Sequence, residues 1–242
     1  MINWTCNLCR HESQNRVDYF HREMGTCENC GSNVRFRAIW YLLTKYVLPL
    51  NINSPKKIVG IGLSDANVYA DRLSVFFSYT NTYYHQEPLL DITNSASAAQ
   101  YSNLDFIICS DVLEHVEMPV NNAFKNLGAM LKHGGYLIFS VPYFTDAISE
   151  HTIEHFAPHK KLLVAVEDGR EYVISESHIA YTNACWHDGP GSILERRVFS
   201  ERAVYEHLGR NGLELQEIGD GIADQGIISN MKGSKVMICR KQ

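Results

Sequence analysis

Apolar residues in this chain fall into short runs separated by polar, glycine-bearing or proline-bearing breaks. Ile39, Leu42, Leu43 and Tyr46 recur at helical spacing between about Val34 and Leu48, and Pro49 with the polar stretch Asn51 to Lys57 ends that helix. Ile58-Val59-Gly60-Ile61-Gly62 is a continuous apolar run that stops at glycine, the pattern of a strand buried on both faces. Further strands are predicted near Val75 to Tyr84, Leu89 to Ile92, Leu104 to Ser110 and Tyr136 to Val141. A helix over Asn121 to Leu131 enters the last of these through Gly134-Gly135. Near the end, a helix at about Glu201 to Asn211 precedes strands near Leu213 to Ile218 and Lys235 to Cys239. Strands alternating with helices imply crossover units and an α/β fold with a parallel sheet covered on both faces.

One segment lies outside this alternation. Cys6-Asn-Leu-Cys9 and Cys27-Glu-Asn-Cys30 form two tight cysteine pairs joined by the loop 10–26. A pair of thiolates two residues apart offers two sulfurs to one ion, and two such pairs complete a closed tetrahedral site with no open position for chemistry. Gly31 follows the second pair, where the backbone must turn back toward the metal. Zinc is the expected ion, with iron as the other occupant of such a site, and its role is to staple the fold. Cys109, Cys185 and Cys239 stand outside any paired motif and are expected as free thiols.

Composition narrows the class. A net charge of −5 and an isoelectric point near 6.1 give no electrostatic footprint for nucleic acid. Seven cysteines, four spaced for metal, point to a reducing, cytoplasmic setting rather than a disulfide scaffold. Met1 to Thr5 carries no basic and apolar leader, and the longest apolar stretch, Tyr136 to Val141, is far too short to span a bilayer. A division at 1–35 for the cysteine module and 36–242 for the α/β domain follows, with an acceptor-side insertion at about 145–198.

Residues 56 to 142 resemble the class I S-adenosylmethionine-dependent methyltransferases. The resemblance rests on four pieces in order: Ile58 to Gly62, Leu90-Asp91-Ile92-Thr93, Leu104 to Val116 and Leu131 to Leu137. It extends to a bacterial subgroup that opens with cysteine knuckles, through Cys30-Gly31-Ser32 with Arg35 and Arg37, Tyr79 to Pro88, and Gly189-Pro190-Gly191-Ser192 with Glu195 and Arg197 to Ser200. It implies a Rossmann-like sheet of seven strands with the last antiparallel, S-adenosylmethionine as cofactor, and a small-molecule acceptor. The subgroup is often associated with sugar or surface-glycan modification, which makes a sugar the leading acceptor class by analogy.

The implied cofactor site lies beyond the carboxyl ends of the strands. The glycine turn departs from the usual acid followed by three alternating glycines: Gly60 stands where the acid is expected, Gly62 takes the first glycine position and Ser64 the second. Asp65, in the same loop, is a replacement for the missing carboxylate. Asn81 is placed by spacing to hold the ribose hydroxyls, with Glu87 as the alternative. Asp91 is positioned for the adenine amino group with Ile92 against the ring, or else to cap a turn. Ser110 and Asp111 should line the methionine end.

Methyl transfer asks mainly for alignment of an acceptor with an already activated methyl group. A hydroxyl acceptor also needs a base, and His115, just past the fourth strand, suits neutral pH unless it caps the next helix. His151, His155 and His159 recur at intervals of four, which places them on one helix face. With Glu150 and Glu154 they offer donors to a metal, although magnesium prefers oxygen ligands and Pro158 interrupts the segment. His155 is the second candidate base, with Asp111 and His187 next. Trp186, in a loop with Gly189 and Gly191, is a core residue or a flat face for a sugar ring. Two classes stay open: a catalytic O-methyltransferase, and a non-catalytic binding or scaffold module that keeps the fold and its structural zinc.

Overall fold

The structure is a computed structural model describing residues 2–15, 21–145, 152–157, 159, 162–167, 170–181, 184–187 and 193–242. Strands β1 (Ile2–Thr5) and β2 (Glu12–Asn15) form an antiparallel hairpin whose turn carries the first cysteine pair. Helix α1 (Val34–Leu42) starts where the Asn33 side chain accepts the Phe36 N–H at 2.8 Å, and continues as a wider turn over Leu43–Val47. Strand β3 (Val59–Leu63), α2 (Asn67–Phe76) and β4 (Ser78–Thr82) make the first crossover. The short α3 (Ser95–Ala98), β5 (Leu104–Ser110), α4 (Asn121–Met130) and β6 (Leu131–Ser140) make the second.

The insertion is built of short strands: β7 (Tyr143–Phe144), β8 (Ile153–Glu154), β9 (Leu162–Glu167), β10 (Arg170–Ser175), β11 (Ala180–Tyr181), β12 (Trp186–His187), β13 (Ile193–Leu194) and β14 (Arg197–Ser200). The chain then returns through α5 (Glu201–Arg210), β15 (Leu213–Ile218) and β16 (Met237–Lys241).

The central sheet runs β15-β16-β6-β5-β3-β4. Its β6, β5, β3 and β4 are parallel, and β16 lies antiparallel between β6 and β15. Alternating side chains serve the two faces. Ile107 and Cys109 of β5 join Leu137, Phe139, Met237 and the inner faces of α4 and α5. Phe106 and Ile108 join Ile138, Ile238, α1, α2 and the cysteine module. Trp4, Cys6, Leu8 and Cys27 therefore share a core with the sheet.

Three expectations change. The run Val75 to Tyr84 is not one strand: Asn67–Phe76 is helix, and the strand starts at Ser78. The helix leaves Val75 and Phe76 exposed at its end and turns Phe77 inward, so the apolar triplet marks a helix end. Among the described residues the central sheet has six strands rather than seven. Leu89 to Ile92 reduces to a single bridge between Tyr83 and Leu89, because Pro88 has no N–H to donate and Asp91 folds the next residues into a turn. The expected helix carrying His155 and His159 is instead β8 followed by a turn, since β8 pairs with β14 through Ile153↔Val198 and Glu154↔Arg197. His151, Glu150 and Pro158 lie outside the described residues.

Candidate active site

The cysteine pairs close on each other. Cys6 N–H donates to His11 O at 2.8 Å and Arg10 N–H to Cys6 O at 2.8 Å. The second pair repeats this with Cys27 N–H to Ser32 O at 2.9 Å and Gly31 N–H to Cys27 O at 2.8 Å. Arg10 and Gly31, at equivalent positions, both take left-handed backbone, with φ of 67° and 74°. The Cys6 and Cys30 sulfurs are 3.7 Å apart, those of Cys9 and Cys27 3.6 Å, and all four lie within 4.8 Å of one another. Tetrahedral zinc with bonds of about 2.3 Å needs sulfur separations of about 3.8 Å, so the donor set fits that ion. Beneath it, the wholly buried Arg37 lies 4.3 Å from the centre of the Trp4 ring and donates to Ser32 O and Gly226 O. Its positive charge faces the four sulfurs.

At the carboxyl end of β3 the chain turns through Ser64, whose φ is 57°. Asp65 is buried, and its carboxylate accepts from the Tyr69 hydroxyl at 2.8 Å and the Tyr79 hydroxyl at 2.6 Å. Burial pushes its pKa up to about 7, against the pull of those hydroxyls and of Arg35. The glycines of β3 are explained by this packing. A Cβ on Gly60 would run into the Phe106 ring, and one on Gly62 into the Asp65 carboxylate and the Tyr79 hydroxyl. A bulky residue at Gly62 therefore disturbs the loop itself.

Asn81 pins the same loop: its Oδ1 accepts from Asp65 N–H and its Nδ2 donates to Asp65 O, both at 2.9 Å. Its side chain also donates to the Tyr83 hydroxyl, so its hydrogen bonds are spent within the protein. Glu87 is exposed and accepts the Leu89 N–H at 2.9 Å. Asp91 Oδ1 accepts from Thr93 N–H at 2.9 Å and Thr93 Oγ1 at 2.7 Å, capping its own turn. Ile92 is buried with its carbonyl bonded to Asn126.

Past β5 the charges are denser. Asp111, with φ of 55°, is ion-paired to Arg22, lies 3.4 Å from Arg35 Nε, and accepts from the Ser140 hydroxyl at 2.9 Å. Burial acts to raise its pKa, but the two guanidinium groups outweigh it and hold the carboxylate below its ordinary range. Ser110 Oγ accepts from Arg35 at 2.9 Å and bonds Ser140 at 2.8 Å. Glu114 is wholly buried, with neither carboxyl oxygen hydrogen-bonded to a described residue. Burial, helped by the Asp111 charge, pushes its pKa well above the usual carboxylate range.

Both candidate histidines meet the segment Leu194 to Arg197. His115 Nδ1 donates to Leu194 O at 2.9 Å, and its Nε2 lies 3.7 Å from Glu114 Oε1. His155 N–H donates to Arg196 O at 2.9 Å and its Nε2 lies 3.0 Å from Glu195 Oε1. Arg197, buried, fastens this junction through Glu154 at 2.7 Å and through Leu113 O and Val116 O. His159 instead lies 3.8 Å from Glu176, and among the described residues only the four cysteines gather closely enough to hold a metal. Trp186 is half-buried in β12; of His187 only the backbone strand is described. Sequence reasoning missed Arg22, Glu23, Tyr69, Tyr79 and Ser140, because nothing in their spacing distinguishes them from surface or core residues.

Residues 44–218 match the methyltransferase domain family. The chain belongs to that family. The enzyme class it was expected to have, an S-adenosylmethionine-dependent methyltransferase, stands with it. Among solved structures it is similar to the amino pentose methyltransferase CalS10 from Micromonospora echinaspora, at 10% identity and a TM-score of 0.50, over 95% of this chain and 100% of that one. It also matches an S-adenosylmethionine-dependent methyltransferase from Clostridium acetobutylicum at 12% identity and a TM-score of 0.47, over 84% and 92% of the two chains. At 10% identity the likeness to CalS10 speaks to the fold alone. No curated protein matches the sequence. No helix among the described residues is long and apolar enough to cross a membrane.

Proposed function

We propose that this methyltransferase transfers the methyl group of S-adenosylmethionine to a hydroxyl of a sugar or glycan-related acceptor, in a reducing cytoplasmic setting and with a structural zinc on Cys6, Cys9, Cys27 and Cys30. The observation that carries the catalytic reading is the placing of His115 on the turn after β5, tied to Leu194 O. Its Nδ1–H is held by the Leu194 carbonyl, which orients the ring beside the carboxyl end of β5 with Nε2 as the nitrogen that takes a proton.

When bound, the cofactor supplies an activated methyl group that needs no further polarisation. Asp65 and Arg35 flank the glycine turn with a carboxyl and a guanidinium group, complementary to the ammonium and carboxylate of a methionine end. Gly60, Gly62 and Ser64 shape the turn beside it, with Ser110 and Asp111 at the same end. Asn81 and Asp91 with Ile92 line the ribose and adenine side, Asn81 by holding the loop and Asp91 by its turn. His115 Nε2 takes the acceptor's proton as the new oxygen–carbon bond forms and the sulfur–carbon bond breaks, its electron pair staying on sulfur. His155, steadied by Glu195, meets the same segment Leu194 to Arg197 and serves as the second base or as a hydrogen-bond partner of the acceptor.

The sugar class rests on the subgroup resemblance and is in keeping with the aminopentose acceptor named for CalS10. Trp186 supplies an aromatic face nearby in the insertion. Calorimetric titration with S-adenosylhomocysteine tests the cofactor reading first: stoichiometric binding is expected. A chain that binds neither it nor S-adenosylmethionine would be the non-catalytic module instead.

A further inference from the structure

We infer that Arg22 and Glu23, in the loop closed by the two cysteine pairs, are positioning residues of the cofactor crevice, so that metal binding and cofactor binding are linked. The inference rests on the cofactor and zinc readings above and adds a coupling that neither contains.

The geometry is specific. Arg22 reaches across to the end of β5, where it pairs with Asp111 and donates to Ser234 O at 2.9 Å. Both side chains are nearly enclosed, 12% and 13% exposed. Glu23 holds Arg35 by two hydrogen bonds, from Nε to Oε1 at 2.6 Å and from NH2 to Oε2 at 3.0 Å. The same Oε2 accepts from Asn33 at 2.7 Å, and Asn33 in turn caps α1. Backbone bonds from Arg35 N–H to Arg22 O and from Val34 N–H to Met24 O lay residues 22–24 against the start of α1. Only three residues separate Glu23 from Cys27 in the chain.

The chemistry follows from charge. Asp111 is a buried carboxylate between two guanidinium groups, and Arg22 is its closer partner. Arg22, Arg35, Asp111 and Glu23 form a balanced cluster in which Arg22 takes up the Asp111 charge and Glu23 fixes the direction in which Arg35 points toward an incoming carboxylate. Without Arg22, Asp111 would draw Arg35 to itself or stand uncompensated and repel the cofactor's carboxylate. Arg22 is held in place by a loop whose two ends are pinned at the cysteine cluster. Losing the metal releases those ends, and ordering the loop must then be achieved at the expense of cofactor affinity. Linkage makes the effect reciprocal, so cofactor must tighten metal binding by the factor by which metal tightens cofactor binding.

The test uses the full-length, metal-loaded chain with S-adenosylhomocysteine as probe. Its affinity is measured calorimetrically for wild type, Arg22→Ala, Arg22→Lys and Glu23→Gln, with bound zinc quantified in each. Expected are a loss of affinity of roughly 5–150-fold for Arg22→Ala, the usual span of such couplings, partial recovery in Arg22→Lys, and a smaller loss for Glu23→Gln, all at unchanged zinc content. Zinc affinity, measured by competition with a chelator, should rise when wild type is saturated with S-adenosylhomocysteine and stay put in Arg22→Ala. Equal affinities across the folded variants, or a zinc affinity indifferent to the probe in wild type, would overturn the linkage while leaving the enzyme reading intact. Wild type that binds no probe would overturn that reading and the linkage together. If Arg22→Ala does not fold, Glu23→Gln, which leaves the Asp111 pair in place, decides.

Discussion

At the scale of single residues, the crevice is organised by groups whose protonation the fold controls. His115 is tied to Leu194 O through one nitrogen, and His115→Ala removes the base together with that bond. Turnover on the true acceptor should fall by about 10²–10⁴-fold, the usual contribution of a general base, with cofactor affinity unchanged. Steady-state kinetics beside calorimetry checks this. Full turnover in both His115→Ala and His155→Ala would send the search for the base to Asp111 and His187. Asp65 makes a second prediction. Its folded pKa of about 7 lies above the roughly 3.9 of an unfolded aspartate, so the native state binds the extra proton between those values. The stability it contributes is complete below about pH 4 and is lost as pH rises through 7. Asp65→Asn, which keeps a hydrogen-bonding amide between Tyr69 and Tyr79, should therefore gain on wild type as pH rises from 4 to 8, by about 4 kcal/mol at most. Denaturant unfolding at several pH values measures the difference. A gap that does not widen with pH would refute the assignment.

At the scale of elements, the sheet interior and the insertion junction each hang on one contact. Phe106 of β5 stands where a side chain on β3 would be, so Gly60→Ala should overpack the sheet and destabilise it by about 1–3 kcal/mol. Combining it with Phe106→Leu should recover part of that loss, which a double-mutant cycle in urea would detect. Strictly additive losses would show that the two positions do not compete for space. Arg197 joins β14 to β8 and to the turn that carries His115. Arg197→Met leaves Glu154 without its partner and two carbonyls without a donor. A loss of about 3–5 kcal/mol is expected, as for breaking other buried ion pairs. If unfolding midpoints move by much less, the junction is held by something other than Arg197.

At the scale of the molecule, the cysteine module and the sheet share one apolar cluster, with Trp4, Cys6, Leu8 and Cys27 among residues of α1, β5 and β16. We therefore expect chelation of the metal to lower the midpoint of a single unfolding transition rather than to remove a small early one. Calorimetric scans with and without chelator distinguish the two outcomes. Two separate transitions would mean that residues 1–35 fold as an independent unit.

How much of this was legible in the sequence differs by feature. Local pattern was enough for the helix at the start of the domain, for β3 and β5, for the terminal helix and strands, and for the cysteine cluster. Those signals lie within a few residues of one another, as unbroken apolar runs, helical spacing or paired thiols. Tertiary structure alone decided that Val75 and Phe76 end a helix, that Leu89 contributes one bridge instead of a strand, and that His155 lies in a turn. Each of those outcomes depends on a partner distant in the chain: the face α2 presents, the edge of β4, the pairing of β8 with β14. The same holds for the site. Gly60, Gly62, Asp65, Ser110, Asp111 and His115 stand in recognisable motifs, whereas Arg22, Glu23 and Tyr79 acquire their roles only when residues 22–24 and β4 are brought against the ends of β3 and β5. Short-range pattern encodes the elements, but the electrostatics of the crevice arise from charges that only folding brings within hydrogen-bond reach.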